Sequence, residues 1–328
     1  MKILLSYGTR PEYIKISPVI EKIKGEIEYR VLFTGQHEDL CKFPHDFKVP
    51  IQNGSHRLDS IVASQLNLPD EVFDGVTHTL VQGDTASAFS LALASFHRRI
   101  KVIHLEAGLR TWDKDNPYPE EVYRQCISRI ADIHLCATQE NQQVLKDEGA
   151  LGKTVVVGNT VLDNLTDITT SYNNDVIITL HRRENHHMMD RWFKCISQLA
   201  LENPDLQFIL PIHPNPNVKK HRALLKGVNV ISPLQHSEFL DMLANCRVVI
   251  SDSGGLQEEC SFLKKKVIVC RSVTERTESI GTSSFLCPQP EMLKDIFNSV
   301  RDDFIVGSNC PYGDGRAADH IVKYLKEL

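Results

Sequence analysis

The feature that most constrains the fold of this chain is an alternation between short β-branched runs and amphipathic stretches. The first series of apolar runs is ILLS (3–6), YRVLF (29–33), HTLVQ (78–82), KVIHL (101–105), DIHLC (132–136) and TVVVG (154–158). Stretches with apolar residues at helical spacing, such as PVIEKIKGEI and ASAFSLALASFHRR, separate these runs. Strands that alternate with helices in this way form a parallel sheet with helices on both faces.

The alternation stops at the polar segment DITTSYNND (167–175) and then restarts. The second series is DVIITLH, LQFILPIH, VNVISP, RVVISD and KVIVCR. With 328 residues, the chain is also longer than a single hydrophobic core usually supports. We therefore expect an α/β fold with two Rossmann-like, doubly wound domains facing a cleft, at 1–168 and 169–314. The final helical stretch, 315–328, could pack on either domain.

Composition excludes several classes of protein. The formal net charge of −5 argues against a protein that coats nucleic acid or a membrane surface. The nine cysteines, from Cys41 to Cys310, form no C-x-x-C pair and mostly lie in apolar runs, which predicts buried, reduced thiols. Without a signal-peptide pattern or an apolar run approaching 18 residues, the chain is expected in the cytoplasm.

The first strand runs into YGTRPEYIK (7–15), a strand-to-helix turn of the kind that holds phosphate in nucleotide-binding folds. Only Gly8 is present, so neither the dinucleotide fingerprint nor the Walker pattern is matched. Arg10 and Lys15 follow the glycine instead. The turn therefore predicts cationic side chains near a ligand rather than a glycine-rich phosphate cradle.

Polar residues follow the predicted strands, and ligands of open α/β sheets bind at the carboxyl ends of strands. In the first half these residues are Asp84 in QGDT, Glu106 in HLEAGLRT and Glu120 in PYPEE. In the second half they are His181 in LHRREN, His213 in PIHPNPN, and Ser253, Gly254 and Gly255 in SDSGGLQEE. The division predicts proton chemistry in the first domain and binding of a nucleotide diphosphate in the second.

Some of these residues also have a structural interpretation. Asp84 precedes a helix and could be only its N-cap. Glu120 and Glu121 follow a proline in a first helical turn, where acids complement the helix dipole. His213 could be satisfied by backbone, and His181 could belong to a solvated charged face. Glu106 has no evident capping role.

The segment SDSGGLQEE is more specific, because it joins the strand RVVIS to a helix. Unpaired amides at a helix start, with no Cβ in the way, make an anion site. Glu259 lies one helical turn beyond Gly255 and could accept both hydroxyls of a ribose. A solvated helix glutamate is the alternative, and it suits Glu258 better.

Ordered motifs along nearly the whole chain resemble those of one family. The motifs are GTRPEYIK, QGDT, HLEAGLRT, PEEVYR, GNTVLDNL, HRREN, PIHPNPNV, SDSGGLQEE and TERTE. Together they resemble the non-hydrolysing UDP-N-acetylglucosamine 2-epimerases. The resemblance implies a glycosyltransferase-B type fold whose final helix crosses back to the first domain. It also implies interconversion of UDP-GlcNAc and UDP-ManNAc without NAD or a metal, in a homodimer.

The resemblance further implies roles for individual residues in elimination and re-addition of UDP. The acid/base group is Asp84, Glu106 and Glu120, with His181 assisting at the leaving group. The residues that position sugar and diphosphate are Arg10, Lys15 and Arg124. The nucleotide is held by His213, Ser253, Gly254 and Gly255 at the phosphates, Glu259 at the ribose and Arg276 at the nucleotide wall.

The sequence departs from the family pattern at several positions. Leu180 stands where the family usually has glycine, Tyr123 where it has asparagine, and Thr277 where it has proline. The segment EDLCKFPHDFKVP (38–50) replaces one that helps many bacterial members to bind a second, activating UDP-GlcNAc. The replaced segment leaves open whether an activating UDP-GlcNAc is needed. The substituted positions leave the identity of the UDP-sugar open.

Alternative functions remain at this stage. A related 2-epimerase would act on a UDP-2-acetamido-2,6-dideoxy-hexose or a diacetamido UDP-sugar by the same route. A hydrolysing epimerase is disfavoured because GTRPE, HLEAGLR and PEE are all present. A glycosyltransferase of the same fold would not need three clustered carboxylates, and a non-catalytic UDP-sugar sensor would not need to retain them.

Overall fold

A computed structural model of the chain describes residues 1–37, 42–52, 54–307 and 309–328. The chain divides into two compact units, the first made of Met1–Asn164 and Gly313–Leu328 and the second of Leu165–Tyr312. Cys41 and the start of the replaced segment 38–50 lie outside the described residues. No helix in the described part of the chain is long and apolar enough to cross a bilayer.

The first unit is built on a parallel sheet of seven strands in the order β3-β2-β1-β4-β5-β6-β7. The strands are β1 (Lys2–Tyr7), β2 (Glu28–Phe33), β3 (Phe47–Lys48), β4 (His78–Gln82), β5 (Lys101–Ala107), β6 (Ile133–Cys136) and β7 (Lys153–Val156). The helices are α1 (Arg10–Ile23), α2 (Arg57–Leu66), α3 (Ala86–His97), α4 (Glu120–Ile130) and α5 (Gln139–Asp147). The terminal helix, numbered α11 in chain order (Ala317–Lys326), also belongs to this unit.

Both faces of this sheet are covered, because side chains of a strand point alternately to its two sides. Ile3 and Leu5 of β1 pack in one apolar cluster with residues of α1 and α11. Leu4, between them, packs in a second cluster that includes Leu91 of α3. The apolar run ILLS is therefore continuous because each of its two faces meets a different layer of helices.

The motif GNTVLDNL explains how the terminal helix joins the first unit. Asp163 accepts hydrogen bonds from the backbone N–H groups of Ala317 and Ala318, at 3.0 and 2.7 Å. These amides open α11 and have no partner within the helix itself. A carboxylate at this position also complements the helix dipole. The side chain of Asn164 in turn donates to the carbonyl of Ile14 in α1.

The second unit contains a parallel sheet of six strands in the order β10-β9-β8-β11-β12-β13. The strands are β8 (Asp175–Thr179), β9 (Gln207–Pro211), β10 (Val228–Ile231), β11 (Val248–Ser251), β12 (Lys266–Val269) and β13 (Ser284–Leu286). The helices are α6 (Met189–Glu202), α7 (Pro216–Lys219), α8 (His236–Asn245), α9 (Gly255–Phe262) and α10 (Leu293–Val300). Trp192 and Phe193 of α6 are fully buried in its core.

The two parallel sheets confirm the predicted α/β class. Sequence reasoning did not predict β3 and β13. Each is an edge strand, of two and three residues respectively. Runs this short are too brief to show a periodic pattern of apolar residues.

Each sheet has one topological switch point, where neighbouring strands lead to helices on opposite sides. In the first unit it lies between β1 and β4. A turn connects β1 to α1, and another turn connects β4 to α3. In the second unit it lies between β8 and β11. Open α/β sheets bind ligands at such points. The turns at these points contain Asp84 in the first unit and His181, Ser253 and Gly254 in the second.

Candidate active site

Glu106 occupies a strained position near the end of β5. Its φ is +66°, a left-handed conformation that residues other than glycine rarely adopt. The pairing of β5 with β6 also shifts register between Leu105 and Ala107, so Glu106 is at a β-bulge. Such a conformation costs about 1–3 kcal/mol and persists where the surroundings hold it in place.

The carboxylate of Glu106 is held by side chains from three other segments. The ammonium of Lys15 lies 2.5 and 2.6 Å from its two oxygens. The amide of Gln82 donates to Oε2, and Asn159 donates to Oε1 over 3.4 Å. Two predicted site residues, Lys15 and Glu106, are thus brought together. Gln82 and Asn159 were missed, although both lie in the motifs QGDT and GNTVLDNL.

Asp84 is not the N-cap of α3, so the structural interpretation of this residue is wrong. The cap is Thr85, whose side chain accepts a hydrogen bond from the N–H of Ala88. Asp84 instead receives two hydrogen bonds from Arg124, from Nε at 2.9 Å and from Nη2 at 2.5 Å. The guanidinium of Arg124 is buried and also donates to Glu121. In this structure Arg124 therefore binds two carboxylates of its own chain.

The two adjacent glutamates at the start of α4 have different surroundings. Glu121 is fully buried and accepts hydrogen bonds from the backbone N–H groups of Thr111 and Trp112. It thereby fixes the loop that precedes the helix. Glu120 is half-buried and is the first residue of α4. The structural interpretation fits Glu121, and Glu120 remains the candidate for chemistry.

The first turn contains an anion supplied by the chain itself. The carboxylate of Glu12 accepts hydrogen bonds from the N–H groups of Gly8 and Thr9, at 2.9 and 2.6 Å, and from the hydroxyl of Thr85. Burial raises the pKa of Glu12 above its usual value, against the effect of these hydrogen bonds. Glu12 thus takes the position that a bound phosphate would occupy in a glycine-rich turn. Sequence analysis did not identify this role.

Arg10 differs from the other cations of the first unit. It is the first residue of α1, directly after the N-cap Thr9. Within the residues that the structure describes, its guanidinium has no ion-pair or hydrogen-bond partner. The guanidinium therefore has its full set of donors available for a ligand.

In the second unit, Asp252 organises the segment that carries His181. Its fully buried carboxylate accepts hydrogen bonds from the backbone N–H groups of His181 and Arg182 and from the side chain of Asn185. The sequence HRREN is therefore anchored on a buried acid rather than forming a solvated face. Asp252 was missed, although it stands directly before Ser253 in SDSGG.

His181 and His213 form a stacked pair. Their ring centroids are 5.0 Å apart and the ring planes differ by 14°. Nδ1 of His213 accepts a hydrogen bond from the N–H of Asn215, so a proton of the neutral ring is on Nε2. Burial lowers the pKa of both histidines. The pair therefore presents neutral imidazoles at neutral pH.

The helix that opens after SDSGG begins at Gly255, with Gly254 as its N-cap. A Cβ on Gly254 would lie 2.8 Å from Nη1 of Arg276 and 2.9 Å from Oε1 of Glu275. A Cβ on Gly255 would meet nothing within 4 Å. A side chain at position 254 would thus crowd the Arg276–Glu275 ion pair, whereas a Cβ at position 255 would extend into open space. The N–H of Ser253 is already bound to the hydroxyl of Ser251.

The acids of α9 differ from the sequence-based interpretation. Glu258 is buried and paired with Nε of Arg276 at 2.8 Å, so it is not a solvated glutamate. Arg276 also binds Glu275, and in this structure it lies within a buried ion-pair network. Glu259 is buried as well, with its Oε1 3.8 Å from Nε2 of His236. Its assignment to a ribose stays a prediction.

Two of the departures from the family pattern have structural explanations. Leu180 is buried in the apolar core of the second unit. Tyr123 stacks on Phe89, with ring centroids 5.1 Å apart and planes 9° apart. Nothing in the structure explains Thr277.

Each unit thus presents one set of groups suited to its own chemistry. The first places Asp84 after β4, Glu106 near the end of β5 and Glu120 at the start of α4. The second places His181 and a helix start at its switch point, with the ring of His213 stacked on that of His181. This arrangement suits an anion. Among the described residues, no group of three or more His, Cys, Asp or Glu side chains is arranged to hold a metal ion.

Comparison with known proteins gives consistent matches over the full length. A family model described as UDP-N-acetylglucosamine 2-epimerase matches residues 21–326. The chain is 34% identical to the UDP-N-acetylglucosamine 2-epimerase of Salmonella borreze, over 100% of this chain and 98% of the relative. It is 35% identical to the enzyme of the same name from Bacillus subtilis, over 99% and 95%.

Solved structures agree with these sequence matches. The crystal structure of UDP-GlcNAc 2-epimerase from Neisseria meningitidis, bound to UDP-GlcNAc, superimposes with a TM-score of 0.91. The two proteins are 30% identical, and the alignment covers 100% of both chains. The family predicted from the motifs is confirmed, and this chain belongs to the UDP-N-acetylglucosamine 2-epimerase family.

Proposed function

We propose that this protein interconverts UDP-GlcNAc and UDP-ManNAc by inverting C2 of the sugar. The observation that carries the proposal is Glu106, a carboxylate in a strained conformation that Lys15, Gln82 and Asn159 bind. Asp84, on the neighbouring strand end, is held by Arg124. Membership of the family, and UDP-GlcNAc in the Neisseria relative, support the same substrate.

The chemistry requires more than a single base. A C2 proton beside an acetamido group is weakly acidic, so its direct removal at neutral pH would be slow. Breaking the bond between C1 and the UDP oxygen gives C1 positive character and makes the C2 proton easier to remove. UDP departs with the electron pair of that bond, the proton passes to a carboxylate, and a 2-acetamidoglucal forms.

The return step inverts the configuration. A proton is delivered to C2 on the opposite face, and the UDP oxygen forms its bond to C1 again. Two faces require two proton-transferring groups, and we assign them among Asp84, Glu106 and Glu120. Arg10 and Lys15 position the sugar and the diphosphate, and His181 assists departure of the diphosphate.

The second unit is assigned the nucleotide. A helix start with the open position Gly255 can bind phosphate oxygens through backbone N–H groups. The neutral imidazole of His213 presents an N–H as a further donor. Ser253, Gly254 and Glu259 complete the predicted nucleotide contacts, and Asp252 keeps the segment of His181 in place.

Proton NMR of the purified protein with UDP-GlcNAc in D2O tests the proposal. We expect UDP-ManNAc to form and solvent deuterium to appear at C2 of both sugars. The Glu106→Gln variant should lose both signals. The matched control is Glu148→Gln, because Glu148 is also an ion-paired acid of the first unit but binds Arg110 instead. A product without deuterium at C2 would refute the elimination mechanism.

A second substrate is kept as a candidate because Tyr123 stands at a position of the site helix α4 where the family pattern has asparagine. A UDP-2-acetamido-2,6-dideoxy-hexose assayed beside UDP-GlcNAc separates the two possibilities by kcat/KM. If neither sugar turned over while UDP-sugars still bound, a sensor would be the better description. The homodimer and the cytoplasmic location stay predictions, and sedimentation of the full chain tests the first.

A further inference from the structure

We propose that His104 is a positioning residue for the acid/base group, because its ring fixes the peptide that joins Gly83 to Asp84. The inference rests on the proposed function, since it concerns the carboxylates assigned to proton transfer. His104 lies on β5, two residues before Glu106, and its side chain is buried beneath the turn. It does not need to contact the substrate to act in this way.

The hydrogen bond of the His104 ring has only one possible direction. Nε2 of His104 lies 2.8 Å from the carbonyl oxygen of Gly83. A carbonyl only accepts, so Nε2 donates and the ring is the Nε2–H tautomer. Nδ1 is the acceptor nitrogen of this tautomer, and within the described residues it has no hydrogen-bond donor. Burial lowers the pKa of His104 to about 3, so the ring stays neutral at physiological pH.

The same turn is attached to β5 a second time. The N–H of Gly83 donates to the carbonyl of Leu105 at 2.9 Å. Gly83 is therefore bound on its amide side by Leu105 and on its carbonyl side by His104. The turn also lies against Glu106, because a Cβ on Gly83 would be 3.6 Å from Oε2 of that residue. The spacing between Asp84 and Glu106 thus depends on this turn.

Loss of the His104 hydrogen bond has a defined effect. The carbonyl of Gly83 would be left buried without its donor, which favours rotation of the Gly83–Asp84 peptide. The next two side chains, Asp84 and Thr85, are restrained by Arg124 and Glu12 respectively. Rotation of the peptide would displace the Asp84 carboxylate relative to Glu106. A displacement of about 1 Å can reduce turnover by about 100-fold.

The chain provides a matched control for this test. His134 on β6 is the register partner of His104 and is equally buried. Its Nε2 also donates to a backbone carbonyl, that of Leu151, at 2.7 Å. Leu151 precedes β7 and does not adjoin Asp84 or Glu106 in the chain or in the sheet. Variants of the two histidines therefore remove similar interactions at different distances from the acids.

The experiment compares kcat, KM and unfolding for full-length variants at both positions. The substitutions are Gln, whose amide N–H reaches the place of Nε2, and Asn, whose amide reaches only the place of Nδ1. We expect His104→Asn to lower kcat by about 100-fold, with a smaller change in KM. His104→Gln should restore most of kcat. His134→Asn should lower the unfolding midpoint and leave kcat unchanged.

The outcomes separate the possible failures. The positioning role of His104 would be overturned if His104→Asn and His134→Asn lowered kcat equally. It would also be overturned if His104→Gln were as slow as His104→Asn. Either result would leave the proposed function intact. If the Asn variants do not fold, His104→Leu and His134→Leu carry the comparison, because Leu also removes the donor to the carbonyl of Gly83 or Leu151. Equal kcat values of these two variants would again overturn the role of His104. A wild-type protein that epimerises no UDP-sugar would overturn both this role and the proposed function.

Discussion

The ammonium of Lys15 lies 2.5 and 2.6 Å from the two carboxylate oxygens of Glu106, although the residues are 91 positions apart in sequence. Both side chains are largely buried, with exposed fractions of 12% and 7%. Removing one partner of such a pair lowers the free energy of unfolding strongly, because it leaves an uncompensated buried charge. The pair therefore links the start of the chain to the strained end of β5.

The first prediction concerns this ion pair. Lys15→Met should lower the free energy of unfolding by about 3 kcal/mol, because Glu106 loses its cation. The double variant with Glu106→Gln should lose less than the sum of the two single losses. Urea denaturation of all four proteins measures the coupling. A coupling energy near zero would contradict the pair as a structural unit.

The second prediction uses the adjacent glutamates of α4 as controls for each other. Glu121→Gln should lower the free energy of unfolding strongly, because Glu121 is fully buried and binds two backbone N–H groups and Arg124. Glu120→Gln should leave stability nearly unchanged and lower kcat by about 10²–10⁴-fold. Chemical denaturation and initial rates measure both effects. The reverse pattern would remove Glu120 from the acid/base group.

The third prediction separates the two glycines of SDSGG. Gly254→Ala should destabilise the protein by about 1–3 kcal/mol, since the new methyl group would crowd Arg276 and Glu275. Gly255→Ala should keep stability, because its Cβ meets nothing within 4 Å. It should nevertheless weaken UDP binding by about tenfold, or 1.4 kcal/mol. Calorimetric titration with UDP checks this, and unchanged affinity would place the phosphates elsewhere.

The fourth prediction is a pH dependence of stability that arises from His104. Its folded-state pKa of about 3 lies below the ordinary value of 6.5, so the unfolded chain binds the proton more readily. The stabilisation is fully present above pH 6.5 and is lost as the pH falls toward about 3. Between pH 6.5 and about 3, the free energy of unfolding of the wild type should fall by about 1.4 kcal/mol per pH unit relative to that of His104→Gln. Denaturation curves between neutral and mildly acidic pH test the slope, and a constant difference would contradict it.

The sequence predicted the elements that carry a long periodic pattern. The alternation of apolar runs identified the long central strands of both sheets, and the order of motifs identified the family. Short edge strands such as Phe47–Lys48 carry too few residues for a pattern. The fold class could therefore be predicted because it depends on repeated local features.

The site was predicted residue by residue, but its internal contacts were not. Glu106 stood out because a strand-end acid beside glycine has no capping role. Its pairing with Lys15 depends on tertiary structure, and sequence spacing does not contain that information. For the same reason, Glu258 and Glu259 could not be distinguished by exposure, since α9 buries both. Acids such as Glu12 and Asp252 were missed because an acid near a helix start looks like an ordinary cap.

The carboxylate of Glu12 has a consequence for competition between ligands. It is attached to the same turn whose N–H groups it binds, at Gly8 and Thr9. A tethered group of this kind acts at an effective concentration of about millimolar or above and loses little further freedom on binding. Free phosphate groups must displace it to reach those amides. The backbone N–H groups of the first turn are therefore protected from free phosphate groups, and Arg10 and Lys15 are left to act on a ligand through their side chains.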